Sequence, residues 1–230
     1  MILSDMLKTL IENNTILKGI FETIYMTLIA TTIAYILGLP LGVLLNVTDS
    51  KGLNPNKVVN KTLGLIVNFF RSIPFIILMV AFLPVAKILV GTSYGNKAMI
   101  VMLIIASTPY IARMVESSLK EIDYGVIEAS KAMGASDFEI IWKVMLVEAR
   151  PSLISGATIS AITILGYTAM ASVIGGTGLG QIAIIYGHQR SNSDVTWICV
   201  VLMVVIVVMI QEIGNLIVKK NDKRNKKIHE

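Results

Sequence analysis

Residues Thr23 to Thr48 carry no Lys, Arg, Asp or Glu, and a helix needs roughly 20 such residues to cross a hydrocarbon layer about 30 Å thick. A run of this length constrains the fold more than any motif, because lipid admits only helices or closed barrels, which satisfy their own backbone polar groups. Thr62 to Ala86 is interrupted only by Arg71, and Ala98 to Ala112 extends toward Glu116. Pro151 to Gln189 is free of these charges but is broken by Gly175-Gly176-Thr177-Gly178-Leu179-Gly180, and Val195 to Gln211 extends to Val218. The runs predict an all-α, polytopic membrane protein with five transmembrane helices, at about 20–48, 60–88, 97–118, 151–173 and 194–218, in one domain covering 1–230. With 54% hydrophobic and 15% charged residues, the chain is too apolar for an ordinary soluble domain.

The opening residues Met1 to Leu17 include Asp5, Lys8 and Glu12 and have no small-residue cleavage site after a short apolar core, so no signal peptide is expected. Cys199, the single cysteine, lies inside an apolar run and reads as a small core residue. His188 and His229 have no Cys or carboxylate at ligand spacing, so neither a metal nor another cofactor is expected.

Basic residues fix the orientation. Lys51, Lys57 and Lys61 fall between spans one and two, and Lys120, Lys131, Lys143 and Arg150 between spans three and four. Lys219, Lys220, Lys223, Arg224, Lys226 and Lys227 form the tail. These outnumber Lys8, Lys18, Lys87, Lys97 and Arg190 on the opposite side. The expectation is a multi-pass protein of the cytoplasmic membrane with its N-terminus outside and its C-terminus cytoplasmic. Beside a span, a basic tail reads as a topology determinant that attracts anionic lipid, so lipid and not nucleic acid is the expected partner.

Residues 120–150 are the only long cytoplasmic segment, and their local chemistry predicts a helical hairpin. Asp123 caps a helix through Val126, Ile127, Ala129, Ser130 and Met133, and Gly134 stands where a left-handed terminator is favoured. Ser136 and Glu139 then form a capping box for a second helix bearing Phe138, Ile141, Met145 and Glu148. Small Ala129, Ser130 and Ala132 let another surface approach closely, with Glu128 and Lys131 as polar contacts at its edge. The competing structural reading is an amphipathic hairpin resting on the bilayer.

Glu128-Ala129-Ser130, Gly134 after three intervening residues, then Val144 and Leu146 after nine more, resemble the EAA loop of ABC importer permeases: E-A-A, three residues, G, nine residues, I, any residue, L-P. Ser130 keeps the volume class of the third small residue; Val147 replaces the proline. Phe70-Arg71-Ser72-Ile73-Pro74-Phe75-Ile76-Ile77-Leu78, Val90-Gly91-Thr92-Ser93, Ala112-Arg113-Met114-Val115-Glu116, Gly166-Tyr167-Thr168-Ala169-Met170 and Gly178-Leu179-Gly180-Gln181-Ile182 extend the similarity to permeases of D- and L-methionine ABC importers. The resemblance implies the type I permease fold and a homodimer in the cytoplasmic membrane. It further implies two copies of a separate ATPase bound at the EAA loops and an extracytoplasmic methionine-binding lipoprotein. ATPase coupling would fall to Glu128, Ala129, Ser130, Ala132, Met133 and Gly134.

The chain has no G-x-x-x-x-G-K-[ST] phosphate loop, so it is expected to be a translocation subunit and not itself an enzyme. Gly178 to Ala183 matches G-x-G-x-x-A but follows a membrane span, and reads as a tight turn at the external end of span four. Arg71, ahead of Pro74 in an apolar run, either lines a cavity or gate, or lies near the cytoplasmic end and caps carbonyls or pairs with a carboxylate. Arg113 and Glu116 are spaced to pair on one helix face. The small-residue face Gly166 to Ser172 either lines a path or serves helix packing; Tyr167, Met170, Ala171 and Arg71 are the candidate path residues. The alternatives are a permease for another small amino acid and a gradient-driven secondary transporter, whose inverted repeats the sequence lacks.

Overall fold

The computed structural model describes residues 5–221. The tail residues Lys223, Arg224, Lys226 and Lys227 lie outside them, as does His229. Helices α1 (Asp5–Glu12), α2 (Thr15–Val47), α3 (Lys57–Ser72), α4 (Phe75–Ala81), α5 (Leu83–Val90) and α6 (Gly95–Lys120) lead into a hairpin. That hairpin consists of α7 (Tyr124–Ala132) and a composite helix of α8 (Asp137–Glu139), a π-helical turn (Ile140–Met145) and α9 (Leu146–Glu148). Then come α10 (Arg150–Thr168), a 3-10 segment (Ala169–Ile174), α11 (Leu179–Ile182), a second π-helical turn (Ala183–His188) and α12 (Ser193–Asn221). No strand occurs among the described residues, and the all-α expectation holds.

Among the described residues, Thr15–Val47, Gly95–Lys120, Arg150–Ile174 and Ser193–Asn221 are each long and apolar enough to cross a membrane. Lys57–Ser72 and Phe75–Ala81 meet the same test only as a pair bent by 103°, a broken span or a re-entrant loop, which makes five spans if the pair is taken as one. Span two is thus broken where the sequence predicted a continuous run over 60–88. Pro74 has no N–H to continue the ladder and disfavours helical geometry at Ile73. A second break at Phe82 precedes α5, whose first turn contains Pro84. Span four also departs from expectation: its α-helix stops at Thr168 and tightens into the 3-10 segment.

Contacts divide the chain into two compact units, residues 5–34, 73–107 and 161–211 in one and 35–72, 108–160 and 212–221 in the other. In the first unit, Met26, Met79, Met99, Met102, Ile164 and Ala171 form one core cluster. A second cluster there packs Leu7 and Leu10 of α1 with Leu179, Val195 and Cys199. The amphipathic α1 therefore buries its apolar side within this unit. In the second unit, Leu45, Val67 and Ala112 form the central contact of α2, α3 and α6.

The approach of α2 to α6 rests on a Gly-x-x-x-Gly pair that the sequence reading passed over, Gly38 and Gly42. A Cβ on Gly42 would lie 2.5 Å from the Ala112 carbonyl oxygen and 2.5 Å from Val115 Cβ; one on Gly38 would lie 2.7 Å from Ile111 Cγ2. Small residues at this spacing let membrane helices pack backbone to backbone, where lipid offers no hydrophobic drive for association. By contrast α12 leaves Trp197, Val201, Val204, Val208 and Met209 more than half exposed, an apolar face that suits lipid or a further helix.

Candidate functional site

The hairpin forms by local rules. The Asp123 carboxylate accepts the Gly125 N–H at 2.8 Å and caps α7. At the other end Gly134 has φ 81°, its N–H donating to the Lys131 carbonyl at 2.9 Å while Ala135 N–H donates to the Ser130 carbonyl at 3.1 Å. This crossed pair is a Schellman termination, which favours glycine at the left-handed position. Nothing lies within 4 Å of where a Gly134 Cβ would sit, so backbone conformation and not crowding selects the residue. Ser136 N–H donates to Glu139 Oε2 at 3.2 Å and the Glu139 N–H donates back to Ser136 Oγ at 3.4 Å, the expected capping box. The Lys143 ammonium at 2.8 Å, with help from Ser136, pulls the Glu139 carboxyl down to about 2.

Glu128, Ala129, Lys131, Ala132, Met133 and Gly134 are all exposed, Met133 at 81%. Ser130 is not: it is 5% exposed, and its hydroxyl donates to the Val126 carbonyl at 2.8 Å. The small residue expected on the docking face thus packs inward, because α7 turns that edge against the π-helical turn. The π-helical turn itself went unforeseen; it buries Ile140 and Met145. Asp137, at the start of the second helix, accepts a hydrogen bond from Asn54 Nδ2 at 2.6 Å, which ties the hairpin to the loop after α2.

A polar chain braces the same unit. Arg113 donates to Asn68 Oδ1 at 3.0 Å and pairs with Glu116 at 2.6 Å, while Lys120 bridges Glu116 at 2.8 Å and Asp49 at 2.9 Å. The expected Arg113–Glu116 pair is one link of it, and Glu116 is 4% exposed. The Lys120 ammonium holds the Asp49 carboxyl below its usual 3.8. Asp49 therefore adds stability at neutral pH that is lost as pH falls below the ordinary carboxylate range and through its own lowered value. Thermal melting at pH 7 and pH 3 checks this: wild type should lose its advantage over Asp49→Asn in acid.

The glycine loop is pinned at two points. Asn96 Nδ2 donates to Thr177 Oγ1 at 2.7 Å and its Oδ1 accepts the Thr177 N–H at 2.7 Å. The Leu179 N–H donates to buried Thr23 Oγ1 at 2.9 Å. Gly180 packs against the Ala169 backbone, leaving no room for a side chain there.

The candidate path residues separate. Tyr167 stacks on Phe75, ring centroids 4.5 Å apart and 7° from parallel, and half-buried Met170 packs beside the same core cluster. Ala171 is 0% exposed and lies against Gly176, so it is a packing residue and lines no exposed face of this chain. Arg71 is exposed in the last turn of α3, and among the described residues it has no carboxylate partner, against the pairing considered for it.

The sequence matches the family described as binding-protein-dependent transport system inner membrane component over residues 38–227. It is 42% identical to the probable D-methionine transport system permease protein MetI of Vibrio cholerae, over 93% of this chain and 95% of that one. It is 48% identical to the methionine import system permease protein MetP of Bacillus subtilis, over 89% and 92%. Among solved structures, an inward-facing conformation of the MetNI methionine ABC transporter superimposes with TM-score 0.89 at 45% identity, covering 91% of this chain and 97% of the other. An amino acid ABC transporter crystallised with histidines, at 18% identity and TM-score 0.77, shares the fold.

Proposed function

The chain belongs to the binding-protein-dependent transport system inner membrane components, a family of multi-pass permeases, and we propose that it is the translocation subunit of an ATP-driven methionine importer. The observation that carries this is identity of 42% and 48%, over about nine tenths of the chain, to two permeases named for methionine. Two copies of this chain would form the path, and two copies of a separate ATPase would dock on the hairpin. An extracytoplasmic binding lipoprotein would deliver the cargo. In this reading Glu128, Ala129, Ala132, Met133 and Gly134 form the docking edge, with Ser130 supporting it from inside. Reconstituted with its ATPase and binding protein, the permease should show ATP-dependent uptake of methionine, and L- and D-methionine should stimulate hydrolysis. Stimulation by another amino acid alone would overturn the cargo assignment.

The orientation has its own test. The hairpin is placed in the cytoplasm and Asn13 outside, on the asymmetry of basic residues. In a Cys199→Ala background, cysteine at exposed Ser136 should be shielded from an impermeant thiol reagent in intact cells, whereas cysteine at exposed Asn13 should react. Labelling at position 136 from outside would reverse the topology.

Tyr167 and Met170 are the residues we assign to the path, with Arg71 at its margin. A thioether repacks readily and suits a constriction that opens and closes. Cysteine at position 170 should cross-link to its mate in the resting dimer, while buried position 171 should not. Cross-linking at 171 without 170 would place another face of span four on the axis.

A further inference from the structure

The end of α2 and the second helix of the hairpin enclose a groove of about 420 Å³, walled on one side by Leu39, Val43 and Val47 and on the other by Phe138, Trp142 and Leu146. Phe138 and Trp142 are 69% and 55% exposed, so the groove is open, and no residue lining it carries a hydroxyl, amide or charged side chain.

Three observations fix the class of occupant. An apolar groove of this kind cannot satisfy the backbone N–H and C=O groups of an extended peptide, whereas a hydrocarbon chain has none to satisfy. The α2 wall belongs to a membrane-crossing helix and ends beside Thr48, Asp49 and Lys51, the depth at which acyl chains give way to headgroups. Trp142, finally, has an indole N–H without a hydrogen-bond partner among the described residues. An aromatic ring of this type favours the bilayer interface, its body in hydrocarbon and its N–H toward polar oxygens.

We propose that the groove is a lipid site: one acyl chain of a membrane phospholipid lies between α2 and the hairpin, with Trp142 at the level of its ester groups. The proposal rests on the chain being a membrane permease and not on its cargo. Uptake assays and the lipid test therefore fail separately.

The test uses the complete transporter with Trp197→Phe, which leaves Trp142 as the sole tryptophan of this chain, and an ATPase freed of tryptophan. In phosphatidylcholine vesicles with chain-brominated lipid, Trp142 emission should be quenched. Native mass spectrometry in detergent should find phospholipid retained by the permease. Val43→Phe, and independently Ile141→Phe, should fill the groove, remove the retained lipid and relieve most of the quenching. Trp197 emission in a Trp142→Phe version confirms that each variant is folded. Quenching unchanged by both substitutions would mean contact with bulk lipid alone and overturn the site. Trp142 shielded from brominated chains and from aqueous iodide alike would mean that a second copy or the ATPase covers the groove, and would overturn it too.

Discussion

Replacing Gly42 with leucine is expected to cost about 3 kcal/mol of stability, the upper part of the range for overpacking a filled interior. The Cβ alone would sit 2.5 Å from the Ala112 carbonyl oxygen and from Val115 Cβ. One of those atoms is backbone, so relief requires α2 and α6 to separate. Separation would also strain the polar chain from Asn68 through Glu116 to Asp49, which spans the same helices. Set against a total stability of roughly 5–15 kcal/mol, that loss should sharply lower the melting temperature and the yield of folded protein in detergent. Gly64→Ala is the control: its Cβ meets only the flexible Arg113 guanidinium, at 3.4 Å, and the change should stay within about 1 kcal/mol. Equal behaviour of the two variants would show that the α2–α6 contact does not hold the second unit together.

Gly134→Val should leave the fold in place and disable coupling. At φ 81° a β-branched residue costs about 1–2 kcal/mol, enough to unwind an exposed termination but not the spans. A strain of that size shifts the equilibrium between the native and the unwound termination roughly tenfold toward unwinding, and ATPase stimulation and uptake should fall with it while the melting temperature barely moves. Gly134→Asn separates conformation from size. Asparagine tolerates the left-handed region and has open space around it here, so it should restore most of the activity. If valine and asparagine fail alike, the position is selected by a partner surface, and the Schellman geometry is incidental. If neither matters, the hairpin is not the coupling element.

The features legible in the sequence were those settled within a few residues. Asp123, Gly134 and the Ser136–Glu139 box each act on backbone groups one to four positions away, so the hairpin's turn and caps follow from composition at fixed offsets. Four of the spans likewise follow from charge-free length. Facing was not legible. Ser130 looks equivalent to Ala129 and Ala132 in the motif, yet it alone turns inward, because the neighbouring π-helical turn decides which edge of α7 is covered. The Asn96–Thr177 clasp joins residues 81 apart, and the partners of Gly38 and Gly42 lie some 70 positions on. No local pattern announces either. Pro74 stands in the sequence beside Arg71, but the length of the apolar run around it predicts one continuous helix, and only the fold shows the proline ending it.

That interruption of the second span has a consequence for where water goes. The backbone ladder of the helix that ends at Ser72 cannot run on through Pro74, which has no N–H to offer, and the following helix begins only at Phe75. Both ends fall near the middle of an apolar stretch, where hydrocarbon cannot hydrate them. Bare peptide polarity at that depth survives only against other protein or in a wetted cleft. The break in span two is therefore a solvation boundary: the backbone there calls for water or other protein around it, and the guanidinium of Arg71, with no carboxylate partner among the described residues, stands beside it.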